Sequence, residues 1–307
     1  MARVTHAQRL GAAARLVGAS KGDRDKPRRF LEAAAAHGID LTHLWASVER
    51  EGGVPRQVCL AVVGAGRSAM VFTSTPRSAP ERAELAGVID RACAEIPGLA
   101  LAQTLLETHE TGAGEAFLGA GFISVGDLAY LRRPRAMASD PKGTTDSLWP
   151  AGVEGRRYEV GDEDLFVRAL DRSYADTLDC PELCGLRSTR DVLDSHRATG
   201  RFDPNLWRVL LWEGEPHGAI LLNPSPEQDS IELVYLGLSP ALRGRGLGAA
   251  LLRWGVALVR ERSEAFIACA VDQRNEPALR VYRRLGFAEF ASRRALVRPS
   301  ARRAEVP

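Results

Sequence analysis

From Tyr158 onward the apolar positions switch repeatedly between a period of two and a period near 3.6, which predicts strands and helices in alternation. Residues 158–160 read as a short first strand. Residues 163–178 carry a helical stripe, and 189–200 a short helix ended by Gly200. The runs LWRVLLWE and HGAILLN read as strands joined by Gly214-Glu215-Pro216. SIELVYLGL (230–238) then continues an antiparallel meander. A glycine-rich loop, a helix over 246–262, the strand EAFIACAV, a helix over 276–285 and a last strand after Gly286-Phe287 complete the pattern.

The first half follows a similar order in weaker form. Helices are predicted near 6–17, 25–37 and 41–50, then strands RQVCLAVV and SAMVFTST. A helix over 79–95, the strand LALAQTLLE, a short helix near 113–119 and the strand FISVGDLAYL follow. The two halves end alike, FLGAGFISVGDLAYLRRP against YRRLGFAEFASRRALVRP, with the same spacing from Phe122 to Pro134 and from Phe287 to Pro299. That match predicts an internal duplication. The polar, Pro/Gly/Thr-bearing stretch after it predicts a linker, giving domains 1–135 and 154–307 joined by 136–153.

Composition changes this picture little. Hydrophobic residues make up 45% of the 307, enough for packed cores. Lys+Arg 41 against Asp+Glu 39 excludes nucleic-acid binding through a bulk basic field. Five cysteines without a C-x-x-C pair predict neither a disulfide framework nor a zinc ribbon, and His196 and His217 lack companions at ligand spacing, so no metal is expected. The amino terminus lacks a signal-peptide pattern and no run approaches about 20 apolar residues. The expectation is a cytoplasmic protein with no membrane partner.

The chemistry concentrates at Arg243-Gly244-Arg245-Gly246-Leu247-Gly248, between a strand and a helix. The first turn of a helix offers unbonded N–H groups and a partial positive charge. Glycines leave those amides open to an anion, and Arg243 and Arg245 add donors, so the site suits a pyrophosphate. A P-loop lysine is missing. Gly64-Ala65-Gly66 lies between two strands and reads as a hairpin turn rather than a nucleotide loop.

This loop resembles the R-x-x-G-x-G signature of the GCN5-related N-acetyltransferases (GNAT). NEPALRVYRRLGF (275–287) resembles that family's N-x-x-A-x-x-x-Y-x-x-x-G-F. The resemblance covers about residues 155–299. It implies an α/β (α+β) fold of two tandem GNAT-like domains, each a mixed, mostly antiparallel sheet flanked by helices. It implies acetyl-coenzyme A as acyl donor, held by the amides of Arg243 to Gly248 and by backbone groups near Leu236 and Leu238 where two strands splay, with Gly237 letting the thioester approach. Asn275, assigned to the cofactor side, can cap the last helix. Tyr282 is implied as the acid that reprotonates the leaving thiolate. Glu232, placed by alternation on the face opposite Leu233 and Tyr235, is a candidate base for an ammonium, or an edge glutamate with no such role. Tyr174, Asp179 and Glu182 fall where the family shapes its acceptor site; acids there suit a cationic amine, and a solvated loop explains them as well.

The first half lacks R-x-x-G-x-G. Pro76 and Pro80 stand where amide donors would be needed, and Phe117 aligns with Tyr282. It reads as a degenerate copy without its own coenzyme. The whole reads as an N-acetyltransferase acting on the amine of a small molecule, a monomer with its two domains paired within one chain. The alternatives are a coenzyme-A-binding sensor or scaffold without turnover, and a peptide or protein N-acetyltransferase.

Overall fold

The computed structural model describes residues 1–20, 22–23, 25–50, 52–140 and 149–300. The chain forms two compact units: Met1–Val125 with the chain from Arg293 onward, and Gly126–Ser292. Part of the expected linker, 141–148, lies outside the described residues.

In the second half of the sequence the first strand is β7 (Val153–Arg157), one step earlier than the strand expected at 158–160. Tyr158 instead packs edge-on against Phe202 and Trp207. Helices α5 (Glu163–Tyr174) and α6 (Thr189–Ala198) follow. The antiparallel meander β8 (Trp207–Trp212), β9 (Glu215–Ser225) and β10 (Ser230–Leu238) comes next, with β7 on the outer edge of β8. Helix α7 (Leu247–Leu258) crosses to β11 (Phe266–Asp272), which runs parallel to β10, and α8 (Glu276–Arg284) follows. The sheet is completed on β11 by an antiparallel strand from the first half of the sequence: Leu128–Pro134, the later part of β6 (Ile123–Pro134).

Apolar clusters pack on both faces of this sheet. Ile231, Leu233, Ile267, Cys269, Leu131 and Leu251 pack on the α7/α8 face. Phe166, Leu170, Leu193, Trp207 and Leu221 pack on the α5/α6 face.

The first unit repeats the order. After β1 (Ala2–Arg3), α1 (Arg9–Leu16) and α2 (Asp25–Ala36), strands β2 (Leu44–Ala46), β3 (Val58–Gly64) and β4 (Ser68–Thr73) form an antiparallel meander. Within the helix expected over 41–50, Leu44–Ala46 instead form a strand. Leu44, Trp45 and Ala46 are all buried in register with Leu60, Cys59 and Val58, and that pairing overrides the local pattern. Gly64 pairs with Ser68, so the Gly64-Ala65-Gly66 stretch is the hairpin turn the sequence suggested. Helix α3 (Ala79–Ala94) leads to β5 (Leu101–Leu106), parallel to β4, and then to α4 (Thr111–Gly119). The strand completing this sheet is Arg294–Pro299, the later part of β12 (Ala288–Pro299). Each unit thus takes its last strand from the other half of the sequence. The compact units consequently divide at 125/126 and 292/293 rather than at the expected 135 and 154.

Candidate active site

Strands β10 and β11 separate near their middles. They pair only at Ser230–Phe266, Ile231–Ile267 and Glu232–Ala268, although β10 continues to Leu238 and β11 to Asp272. A bulge in β10 between Leu233 and Tyr235 marks the parting point. Beyond it, the β11-facing edge of β10 carries backbone groups through Leu236 that no strand takes up. Leu238 differs, because its carbonyl accepts from Arg243 Nε at 2.9 Å.

The bulge also changes the facing of side chains. Simple alternation puts Tyr235 with Leu233, away from Glu232. The extra residue turns Tyr235 to the α5/α6 side, where it packs with Val234 and Tyr174. Glu232 lies on this same side, opposite Asn223, whose amide donates to the carbonyls of His196 and Thr199 at the end of α6. The Tyr235 hydroxyl shares a 2.6 Å hydrogen bond with Ser173 Oγ. Gly237 makes room for that phenol: a Cβ there would sit 2.3 Å from its oxygen. The space at Gly237 is filled by Tyr235, which corrects the expectation that it was left for a thioester.

The glycine loop leads from the end of β10 to α7. Gly244 (φ 74°) and Gly246 (φ 78°) are left-handed, and a Cβ on either would meet nothing within 4 Å. Backbone conformation, not crowding, requires glycine there. Gly246 is the N-cap of α7, and Leu247 and Gly248 open its first turn. Among the described residues, the amides of Gly244, Arg245 and Gly246 donate to no other group. Together with the first turn of α7 they form a row of free N–H donors suited to a pyrophosphate.

The two arginines differ. Arg243 spans from the loop to the end of α5, donating to the carbonyls of Leu238 (2.9 Å), Asp176 (2.9 Å) and Ser173 (2.8 Å). With each of its three nitrogens donating to a carbonyl, it holds the loop against α5. Arg245 is exposed, lies 5.4 Å over the Trp212 ring, and has no carboxylate partner among the described residues.

On α8, Tyr282 is 7% exposed and packs edge-on against Phe287 at 5.4 Å. Among the described residues its hydroxyl has no hydrogen-bond partner. Burial raises the phenol well above its ordinary value, with Cys269, Asp179 and Tyr235 as its titratable surroundings. The group is therefore held in its protonated, donor form. Asn275 caps α8, its side-chain oxygen accepting from the Ala278 amide at 3.2 Å, and it also hydrogen-bonds Asp179.

Two carboxylates of the acidic loop, those of Asp179 and Glu182, are engaged by protein groups. Asp179 accepts from the Asp272 amide at 2.8 Å, and burial raises its carboxyl against those hydrogen bonds. Glu182 is held by both terminal nitrogens of Arg274 (2.7 and 2.9 Å), and that hydrogen bonding lowers its carboxyl. Arg274 also grips Asp272. Tyr174 is a packed ring, its phenol raised by burial. Asp179 and Glu182 thus clamp the 175–187 loop to β11 and the start of α8, and Tyr174 packs against Tyr235, rather than standing open toward a cationic amine as expected. Asp272 and Arg274 were not singled out from sequence. No motif marks them, and only the fold brings residues about ninety positions apart together.

Glu232 is half-buried. Burial raises its carboxyl, partly opposed by the Ser230 hydroxyl that donates to it at 2.7 Å. His196 lies 5.5 Å from Tyr235 and is pushed down to about 4 by burial, so it is neutral near pH 7. His217 Nδ1 bonds Ser239 Oγ at 2.8 Å. Among the described residues no three His, Cys, Asp or Glu side chains converge as a metal site, and no helix is long and apolar enough to cross a membrane.

A strand fork beside a helix mouth lined with free amides is the arrangement the two sequence signatures implied. Residues 173–287 match the acetyltransferase (GNAT) family. The chain carries a GNAT-family domain. A mycothiol acetyltransferase from Thermomonospora curvata is 32% identical over 178 residues, 56% of this chain and 54% of the relative. One from Rhodococcus erythropolis is 31% identical over 175 residues, 55% and 56% of the two chains. The chain spans about half the length of these curated relatives. A solved GNAT structure from Sphaerobacter thermophilus shares the fold with a TM-score of 0.58, at 20% identity over 95% of this chain and 91% of that one. The GNAT domain holds Glu232, the 243–248 loop and Tyr282 within the second unit.

Proposed function

We propose that the protein is an acetyl-coenzyme A-dependent N-acetyltransferase whose working site lies in the second unit and whose acceptor is the amine of a small molecule. The observation that carries this is the fork. Pairing of β10 with β11 stops at Glu232–Ala268, beside the free amides of 244–246 and a helix bearing the unpartnered Tyr282 hydroxyl. The names of the curated relatives support a small-molecule acceptor of the kind used by mycothiol acetyltransferases.

When bound, acetyl-coenzyme A supplies the reactive thioester. Gly244, Arg245 and Gly246, with the first turn of α7, hold the pyrophosphate, and Arg245 adds a cation. Arg243 keeps that loop in place. The β10 edge through Leu236 positions the pantetheine arm. Glu232, directly or through a water, takes a proton from the acceptor ammonium, and its raised carboxyl makes it a better base than an ordinary glutamate. The freed amine attacks the thioester carbonyl, the C–S bond breaks as the Tyr282 hydroxyl gives its proton to the departing sulfur, and the second proton shed by the nitrogen as it becomes an amide restores the phenol. In this reading the protein works in the cytoplasm, and its first unit is a copy without its own coenzyme.

The test is release of free thiol from acetyl-coenzyme A by the full chain against a panel of small amines, with calorimetry of coenzyme binding. One coenzyme per chain and amine-dependent thiol release are expected. Tight coenzyme binding with no turnover on any amine would leave a binding protein and overturn the catalytic assignment.

A further inference from the structure

The face of the sheet that carries Glu232 holds a second charged group. Register places Glu232 of β10 beside Ala268 of β11, and Ala268 opposite Arg132 of β6. Cross-strand neighbours share a face, so Glu232, Ala268 and Arg132 form one row on the side away from Ile231, Ile267 and Leu131. Two strand spacings separate the outer backbones by roughly 10 Å. Ala268, a methyl side chain, is the one residue between Glu232 and Arg132 in this row.

Arg132 is exposed, and among the described residues no carboxylate or other acceptor pairs with it. Its guanidinium carbon instead lies 4.9 Å over the Phe266 ring and 5.0 Å over the Phe290 ring. Stacking uses the faces of a guanidinium and leaves its in-plane N–H groups, the fork that binds carboxylate or phosphate in bidentate fashion. Phe290 is itself 50% exposed, its ring edge-on to Tyr130, which stands opposite the exposed Ala270. An unpaired cation fixed by rings, one open aromatic side chain beside two half-buried ones and a floor of alanines are a costly set to leave in water. Glu232 stands at one end of it.

We infer that Arg132, seated on Phe266 and Phe290, is an anion-reading subsite for the acceptor. The acceptor is then an amine that also bears a carboxylate or phosphate, with the amine directed to Glu232 and the anion to Arg132. This rests on the acetyltransferase reading for the role of Glu232, but the subsite itself is tested by binding alone. Arg132 lies away from the reacting atoms, so it acts on acceptor affinity and specificity rather than on the bond-changing step.

The test uses matched pairs of probes: γ-aminobutyrate against its amide, and phosphoethanolamine against ethanolamine. Binding of each to the full chain is measured by calorimetry with coenzyme A present, for the parent, Arg132→Gln and Arg132→Lys. In the parent the anionic member of at least one pair should bind about 10- to 100-fold more tightly, as a charge-assisted bidentate contact does. The pair showing it tells carboxylate from phosphate. Arg132→Gln should erase that preference, and Arg132→Lys should restore part of it. Equal binding within both pairs, or a preference that survives Arg132→Gln, overturns the inference. An Arg132-dependent preference in a protein that acetylates no amine would sink the catalytic reading and leave the subsite standing. In an active enzyme the loss in Arg132→Gln should fall on KM and not on kcat.

Discussion

The helix that ends before Gly286-Phe287 and the helix that ends before Gly121-Phe122 turn the same corner with different chemistry. Both glycines are left-handed, at φ 83° and 82°. In both corners the phenylalanine amide reaches back five residues to a carbonyl, Phe287 to Tyr282 and Phe122 to Phe117, at 3.1 Å each. In both, two aromatic rings meet edge-on, at 5.4 Å and 4.9 Å. The difference is one hydroxyl: Tyr282 carries it and Phe117, fully buried, does not.

The mouths of the preceding helices differ in the same sense. α7 starts on a left-handed glycine with free amides before it. α3 starts on Ser78, whose hydroxyl accepts from the Glu81 amide, with Pro80 in its first turn. The parallel strand pair is conserved in form, with three paired positions in each unit. The first unit shares the corner and the strand pairing but lacks the tyrosine hydroxyl and the left-handed glycine mouth that the proposed chemistry uses.

The sharpest way to test this is to move the hydroxyl. Tyr282→Phe should lower turnover by about 10²–10⁴-fold with little change in coenzyme affinity, read by steady-state kinetics and calorimetry. Phe117→Tyr should bring no second activity; burying an unpaired hydroxyl should instead cost about 1–3 kcal/mol in denaturant unfolding. An active Phe117→Tyr chain with Tyr282 removed would break the comparison.

The anchors of the two last strands make a second contrast. Arg133 is 1% exposed and bonds both oxygens of Asp140 at 2.7 Å, whereas Arg298 meets Asp90 where that acid is 58% exposed. Asp140→Ala should cost about 3–5 kcal/mol, because it strands a buried guanidinium. Asp90→Ala should cost about 1 kcal/mol or less. Equal losses in chemical denaturation would show that the two anchors are energetically alike.

Glu232→Gln should reduce the rate about a hundredfold near neutral pH, with a defect that shrinks as rising pH supplies free amine. The sign for stability is opposite. Burial raises the folded-state carboxyl, so its favourable contribution is complete below the ordinary glutamate value and is lost as pH rises through the raised value. Glu232→Gln should therefore be slightly more stable than the parent at neutral pH, with the gap closing on acidification. Thermal melts at several pH values check this, and a gap that widens in acid would contradict it.

The smallest effect is expected at the helix mouth. Gly246→Val forces a branched residue to φ 78°, and strain of that order should weaken coenzyme binding about tenfold by calorimetry. Affinity unchanged from the parent would mean that Gly246 does not shape the anion site.

Much of this was legible in the chain. The meander, the helices at 247–258 and 276–284 and the glycine loop follow from local periodicity and capping residues, which act over a few positions. The duplication showed through because its end corners need Gly-Phe in both halves. The strand at 44–46 did not show, because its conformation comes from pairing with 58–60. Nor did the facing of Tyr235, which one bulge residue reversed. Arg243 and Glu182 carry the charges expected of ligands, yet each is spent inside the protein, on carbonyls of α5 and on Arg274. A sequence displays a side chain's chemistry but not its partners.

The sequence by itself determined the kind of elements, the place of the helix mouth and the family signatures, since each depends on short-range backbone preferences. The tertiary structure decided which partner each long-range edge takes. The strands after Gly121-Phe122 and Gly286-Phe287 resemble one another, so either could complete either sheet as far as local pattern goes. Only the folded chain places Leu128–Pro134 on β11 and Arg294–Pro299 on β5, because strand pairing is chosen by the edge that is available in space and not by nearness along the chain.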